Sequence, residues 1–204
     1  MKGDERRAQI LRAAVELFSR KGFTGTTTKE IAQAVGVSEA MLFKHFASKD
    51  ELYGAILDDK VCQHGEHKFP WEGNETLLKA MREKDDFTVF FTVIYMALEK
   101  HQADQGFLRL LLFSALEGHQ LADRFFRDFV SQIYSFLGGY IEQRQADGVM
   151  REAEPRVIVR ALMGMMIHHS LHNILWDKRR HILEISNEDA ARNFTEILLR
   201  GVLK

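Results

Sequence analysis

The 204-residue chain has a single cysteine, Cys62, and two prolines, Pro70 and Pro155. One thiol excludes an intrachain disulfide, so the fold is not a disulfide scaffold. On a helical pattern such a cysteine reads as a packed small residue, without a redox role. Helix breakers are scarce, and no Asn-Gly or Asp-Gly turn joins alternating strands. Asp147-Gly148 follows a long helical pattern and reads as its end. These absences disfavour a β-rich fold and leave an all-α chain. No apolar run reaches the ~20 residues that span a bilayer; Val89–Leu98 is among the longest, and Thr92 interrupts it. The N-terminus carries no signal-peptide apolar core, so a cytoplasmic location is expected. A nucleophile–base pair, paired catalytic carboxylates and a Gly-rich phosphate loop are also missing. The chain is therefore expected to be neither an enzyme nor a cofactor carrier.

The net charge is close to zero, at −1, yet it is unevenly spread. Residues 1–50 hold nine Lys/Arg against six Asp/Glu, a balance of +3; the remainder holds 19 against 23, a balance of −4. A basic head on an acidic body suits contact with nucleic acid, and with 46% hydrophobic residues the body can bury a core.

The most informative stretch is Thr26–Phe46, TTTKEIAQAVGVSEAMLFKHF. Thr27 and Glu30 have the spacing of a capping box, in which hydroxyl and carboxylate each satisfy a backbone N–H at a helix start. Ile31, Ala32 and Val35 form a one-sided apolar stripe. Gly36 stands where that helix should end in a left-handed residue. Val37 can plug the angle between helices. Ser38 is a second N-cap, and Leu42 and Phe46 lie one turn apart on a second helix. Two short helices joined by a Gly-containing turn form a helix-turn-helix, whose second helix enters the DNA major groove. With Val37, Leu42 and Phe46 inward, Glu39, Ala40, Met41, Phe43, Lys44 and His45 are left outside or at the rim. The N–H groups at Ser38 suit a phosphate. The competing reading is a solvated surface hairpin.

Residues 4–21 form a first helix, with Ile10, Ala14, Leu17 and Phe18 on one face and Gly22-Phe23 as its stop. Arg6 and Arg7 near its start suit either a phosphate or plain solvation. Ser48 and Glu51 make another capping box, and Lys49 stands in the first turn it opens, where a cation opposes the helix dipole unless a phosphate is present.

TTTKEIAQAVGVSEAMLFKHFASKDEL, with AVELFSRKGFTG before it, resembles the DNA-binding signature of the TetR family of bacterial transcriptional regulators. The resemblance covers about residues 8–57. It implies phosphate contacts at Thr28, Phe43, Lys44, His45 and Lys49, and Lys29, Glu39, Ala40 and Met41 facing base edges. Two positions depart from the family pattern. Phe43 stands where Tyr is common and loses a hydroxyl; Ala40 stands where Gly is frequent. Glu39 is an acid on a DNA face, able to accept from a cytosine amine or to cap the turn at Ser38. The expected division is a three-helix DNA-binding head, residues 1–48, and a larger helical effector-binding and dimerisation body, residues 49–204.

The body reads as amphipathic helices. The fourth helix runs from Glu51 to about His67, before a break over Lys68–Asn74. Further helical runs follow at Thr76–Arg82, Phe87–His101, Gln105–Leu116 capped by Asp104, Leu121–Ala146, Arg156–Trp176 after Pro155, and one opened by Ser186 and Asp189. Ile158, Leu162, Met165, His169, His172 and Trp176 share a face of the penultimate helix. With Ala161, Gly164 and Gly201, they suit homodimerisation by four-helix packing, and the family resemblance implies the same. Phe90, Phe91, Tyr95, Phe107, Leu111, Phe129, Met163 and Met166 can line a pliable apolar cavity. Periodicity alone makes them core; the resemblance implies a small apolar or aromatic effector that re-spaces two heads on a palindromic operator. Glu99 and Glu117 end apolar runs and read as solvated helix ends or, if buried, as selectors of a cationic ligand. His168 and His172, with His169 between them, have the i, i+4 spacing of a shared metal. His64, His67, His101 and His119 could add ligands, but no local Asp or Cys joins them, and no metal is expected. Two alternatives stay open: the same head with a body that answers to a protein partner, and a metal-binding helical enzyme.

Overall fold

The computed structural model describes residues 3–62, 69 and 71–204, with residues 61 and 62 described for their backbone alone. Cys62, His64 and His67 therefore lie outside the described side chains, as does the expected continuation of the fourth helix beyond residue 62. The fold is all-α, and among the described residues the only extended pairing is one bridge, Met150 to Leu203. In order the helices are α1 (Gly3–Lys21), α2 (Thr28–Ala34), α3 (Glu39–Phe43), α4 (Lys49–Cys62), α5 (Glu75–Glu83), α6 (Asp86–Ala103), α7 (Gln105–Leu116), α8 (Gln120–Phe125), α9 (Ser131–Ala146), α10 (Pro155–Leu171) and α11 (Asn187–Val202). No described helix is long and apolar enough to cross a membrane.

The chain packs as two units, and neither is bounded at residue 48. One unit is Met1–Phe69 with Asp104–Phe129; the other is Pro70–Ala103 with Val130–Lys204. The DNA-binding head expected over residues 1–48 thus shares its core with α4, α7 and α8.

In the first unit α1 lies across the helix-turn-helix. Ile10, Ala14 and Phe18, spaced at i, i+4 and i+8, are fully buried with Ile31, Leu42, Leu52 and Ile56. Two short helices have too little apolar surface to close a core alone, and α1 supplies the missing wall. Its end is a left-handed Gly22 (φ +73°), as the stop signal required. Arg6 and Arg7 are engaged within the unit. Arg6 donates to Gln9 Oε1 at 2.7 Å, and the Arg7 guanidinium lies 4.9 Å from the Phe46 ring centre.

In the second unit Val89, Phe90, Ile94, Leu98, Leu137, Ile141, Val159 and Leu162 make a core closed by Ala191, Leu199 and Val202 of α11. One of its buried charges is Arg144 on α9. The guanidinium grips both oxygens of Asp86 at 2.8 and 3.0 Å and one of Asp147 at 2.7 Å, while Tyr140 donates to Asp86 at 2.6 Å. The Asp86 hydrogen bonds hold Arg144 more firmly protonated; burial, with Asp86 beside it, pushes the Tyr140 phenol upward. Lys84, then Arg144, hold Asp147 below the ordinary carboxylate range.

The run expected as one helix over 121–146 is α8, a π turn Phe126–Val130 and α9. The run expected over 156–176 is α10 followed by a π turn His172–Trp176. Each π turn inserts one residue, so the apolar stripe shifts phase part-way along the run.

Arg144→Ala leaves Asp86 half-buried with only Tyr140 for company. The expected loss is about 3 kcal/mol of stability, read as a lower denaturant midpoint. Because Asp147 is depressed in the folded state, its own contribution is present above the ordinary carboxylate pKa and is lost as pH falls through the folded value.

Candidate nucleic-acid interface

Both helix starts form as the residue types dictate. Thr27 caps α2 by accepting from Glu30 N at 3.2 Å, and Glu30 reaches back to Thr27 N at 2.8 Å, the complete capping box. Lys21 adds an ion pair to Glu30 at 2.6 Å. That lysine, then the Thr27 N–H and hydroxyl, bring the Glu30 carboxyl down to about 2. Gly36 turns the chain at φ +69°, and Val37 N–H reaches back to Ala32 O at 2.9 Å. Ser38 caps α3 by accepting from Met41 N at 3.2 Å.

The second helix is shorter than its expected reach to Phe46. It spans five residues, and Lys44 and His45 lie in the turn that closes it. His45 N and Phe46 N both donate to Leu42 O, at 2.9 and 3.1 Å, so the ladder tightens as it ends. Leu42 and Phe46 still point inward and are essentially fully buried. That leaves Lys29, Ser38, Ala40, Met41, Phe43 and Lys44 exposed, and Thr28, Glu39, His45 and Lys49 half-buried. Phe43 is 45% exposed, a large ring standing in water beside Lys44. The competing picture of a merely solvated polar hairpin does not account for that ring.

Two of these residues serve each other. Thr28 on α2 donates its hydroxyl to Glu39 Oε1 on α3 at 2.6 Å. This cross-helix clip is the feature that sequence reading missed, because an eleven-residue spacing across a turn has no periodic signature. Glu39 does not cap the turn at Ser38. Lys49 also has a local partner: its ammonium lies 4.1 Å from the Phe23 ring centre, which offsets its unfavourable place at the start of α4. Ser48 caps that helix at Glu51 N (3.0 Å), and Glu51 accepts from Ala47 N at 2.6 Å.

The aromatic and methionine residues named for an effector cavity are divided. Phe107, Leu111 and Phe129 belong to the first unit, where Phe107 meets Phe125 edge-on at 5.7 Å and Phe129 stacks on Phe125 at 5.1 Å. Phe90, Phe91, Tyr95, Met163 and Met166 gather around the second core. There Phe91 stacks on Tyr95 at 5.8 Å, under the Arg192 guanidinium at 5.6 Å. Glu117 is neither buried nor simply solvated: it accepts from the backbone of the α1–α2 loop.

The face expected to pair two subunits must be re-phased. Ile158, Leu162 and His169 are buried in their own unit's core. The exposed residues of α10 are Arg156, Val157 (62%), Arg160, Ala161, Gly164 and His168, and Trp176 (67%) is exposed beyond it; on α11 Ile197 (62%) and Gly201 are exposed. The core stripe faces α6, α9 and α11, so the unpartnered stripe starts one residue earlier. The His168 and His172 ring centres are 5.6 Å apart. His169 instead lies 3.0 Å from the Asn173 side chain, and burial holds it below the ordinary imidazole value. Among the described residues no group of three metal-ligating side chains comes together.

A capped helix pair with an aromatic, basic outer face, set on an all-α chain, defines a helix-turn-helix protein. Residues 10–56 match the model for bacterial regulatory proteins of the tetR family. The HTH-type transcriptional activator FasR of Mycolicibacterium smegmatis is 48% identical over 58 residues, which cover 28% of this chain and about a quarter (26%) of FasR. The nucleoid occlusion factor SlmA of Alteromonas mediterranea is 27% identical over 169 residues, covering 82% of this chain and 80% of SlmA. NalD, the secondary repressor of the MexAB-OprM multidrug efflux pump in Pseudomonas aeruginosa, superposes with a TM-score of 0.69 at 20% identity, covering 100% of this chain and 99% of NalD. The likeness to the TetR family of bacterial regulators thus rests on the helix-turn-helix head at residues 10–56.

Thr27→Ala removes the hydroxyl from the capping box and should cost about 1 kcal/mol, measured by chemical denaturation. Glu30 titrates in the folded protein at about 2 against its ordinary 4.5. Its share of head stability should be complete above pH 4.5 and fade as pH falls toward 2, which carboxyl NMR titration with a parallel helix signal will follow.

Proposed function

We propose that this protein is a cytoplasmic, homodimeric DNA-binding transcriptional regulator, acting as a repressor on a palindromic operator and released by a small apolar or aromatic effector. The observation that carries the reading is the outer face of the capped α2–α3 pair. Phe43, Lys44 and His45 close α3, Ser38 caps its other end, and Lys49 opens α4. Cations, a ring and a helix N-terminus supply the salt-sensitive grip on phosphates, with Thr28 added once it swings from Glu39. Lys29, Glu39, Ala40 and Met41 face the base edges and select the sequence. Two heads are required for a palindrome. The stripe Val157, Ala161, Gly164, His168 with Ile197 and Gly201 is the self-complementary surface for joining them: a Cβ at Gly164 or Gly201 would meet nothing within 4 Å, so a partner helix can come close.

A second reading, in which the body also answers to a protein partner, has its own support. In the second unit Trp176, Ile182 and Leu183 are exposed apolar residues beside Lys178 and Arg179. Their loop is built firmly. Burial opposes ionisation of Asp177, but the Ile182 and His181 N–H groups, donating at 2.9 and 2.7 Å, outweigh it. An exposed apolar tip on a fixed turn suits a protein contact.

Selection of bound fragments from genomic DNA tests the main reading and returns the operator with its symmetry. On the selected duplex, Lys44→Ala should weaken binding to all sequences about equally and lower the salt slope by about 1. A changed site preference instead makes Lys44 a base reader. Ile197→Glu should convert the dimer to monomer in sedimentation analysis and remove binding to the palindrome. A wild-type chain that is strictly monomeric and ignores every duplex at low salt would falsify the proposal.

A further inference from the structure

Glu117, at the exposed end of α7, is spent on the backbone of a distant loop. Its carboxylate accepts from Phe23 N at 2.8 Å and from Thr24 N at 3.2 Å. The fit is close: a Cβ on Gly22 would stand 2.5 Å from Glu117 Oε1 and displace the carboxylate, and the φ of +73° itself favours glycine. Two residues on, His119 caps α8 by accepting from Leu121 N at Nδ1 (3.2 Å), and its Nε2 lies 3.4 Å from Asp50 Oδ1 on α4. The same ring packs on Phe23 (4.4 Å) and edge-on to Tyr53 (4.6 Å). The corner that carries both residues is rigid. Gly118 is left-handed at φ +65°, and the fully buried Ser114 donates to His119 O at 3.2 Å and accepts from Ala122 N at 2.9 Å.

These contacts lead to both ends of the proposed phosphate clamp. Past Thr24, the buried Thr26 hydroxyl ties back to Gly22 O at 2.9 Å, and Thr27 and Thr28 open α2 directly after it. Past Asp50 stands Lys49, whose ammonium rests on the same Phe23 ring that His119 touches. Phe23 is thus gripped at its N–H by Glu117, on its ring by His119, and under the Lys49 cation. We infer that the 117–119 corner is a positioning element for DNA binding, setting the spacing between the start of α2 and the start of α4, with Glu117 and His119 as positioning residues that touch no DNA. The inference rests on the DNA-binding reading above. It gives a role to a carboxylate that otherwise looks misplaced, an acid beside a DNA-facing loop where a neutral side chain would repel phosphate less.

The test uses the full-length chain and the duplex selected from genomic DNA. Glu117→Ala exposes two N–H groups to water and frees the loop. It should weaken affinity about tenfold or more at a temperature where thermal unfolding shows the variant fully folded. Glu117→Gln keeps an acceptor oxygen and should recover most of that loss, a rescue that simple charge repulsion from DNA does not predict: that alternative makes both variants bind more tightly than wild type. Amide NMR of the free protein gives an answer that needs no DNA: Glu117→Ala should shift Thr24–Lys29, and His119→Ala should shift Lys49–Asp50. Unchanged amides at those positions, or a folded Glu117→Ala with wild-type affinity, overturns the inference. If the amides shift but wild type binds no duplex, the positioning stands and the DNA-binding reading is what fails.

Discussion

The recognition helix exists because Leu42 and Phe46 are buried. Five residues are far too few for a helix to hold in water, where nucleation cost exceeds what one turn returns. Here α3 has a side-chain cap at Ser38 and two apolar anchors in the core formed by α1, α2 and α4. Full burial of each anchor is worth roughly 1.5–3 kcal/mol, which exceeds what the cap alone supplies. The exposed residues between the anchors are then displayed in a geometry they do nothing to maintain. They are free to be chosen for what they touch, so Phe43 can stand in water and Lys44 can sit in a closing turn without harm to the fold.

What could be read from the chain divides along one line: features made by neighbours in sequence were legible, and features made across space were not. The caps at Thr27, Ser38, Asp104 and Ser186 all form at the helix starts that their residue types marked. The left-handed turns at Gly22, Gly36 and Gly148 also follow from local chemistry. By contrast, the Thr28–Glu39 clip, the Arg144–Asp86 pair and the reach of Glu117 to Phe23 join residues 11, 58 and 94 positions apart. No periodicity encodes them. The π turns were hidden for a related reason, since a one-residue insertion leaves the hydrophobic pattern intact on either side and changes only its phase.

That phase bears on the face named along the penultimate helix. An apolar stripe drawn straight along residues 158–176 mixes core positions before the π turn with exposed ones after it: Leu162 is buried and Trp176 is in water. Phe90 and Phe129, named together for an effector cavity, pack in different units. Phenylalanine is abundant in both cores, so its frequency carries no address.

The exposed stripe of α10 is more informative than the buried one. A helix face meant for solvent would carry Glu, Lys or Arg, as the outer face of α11 does with Arg192, Glu196 and Arg200. Val157, Ala161, Gly164 and His168 instead recur at i, i+4, i+7 and i+11 without a formal charge. Small residues on such a row cost helix propensity, about 1 kcal/mol for Gly164 relative to Ala, and fill nothing in their own subunit. In the proposed homodimer they would let a second backbone approach, and a two-fold axis would present the same row from both sides. A stripe of this kind would restrict a two-fold helix pairing more than a charged face, because close backbone contact permits few crossing angles.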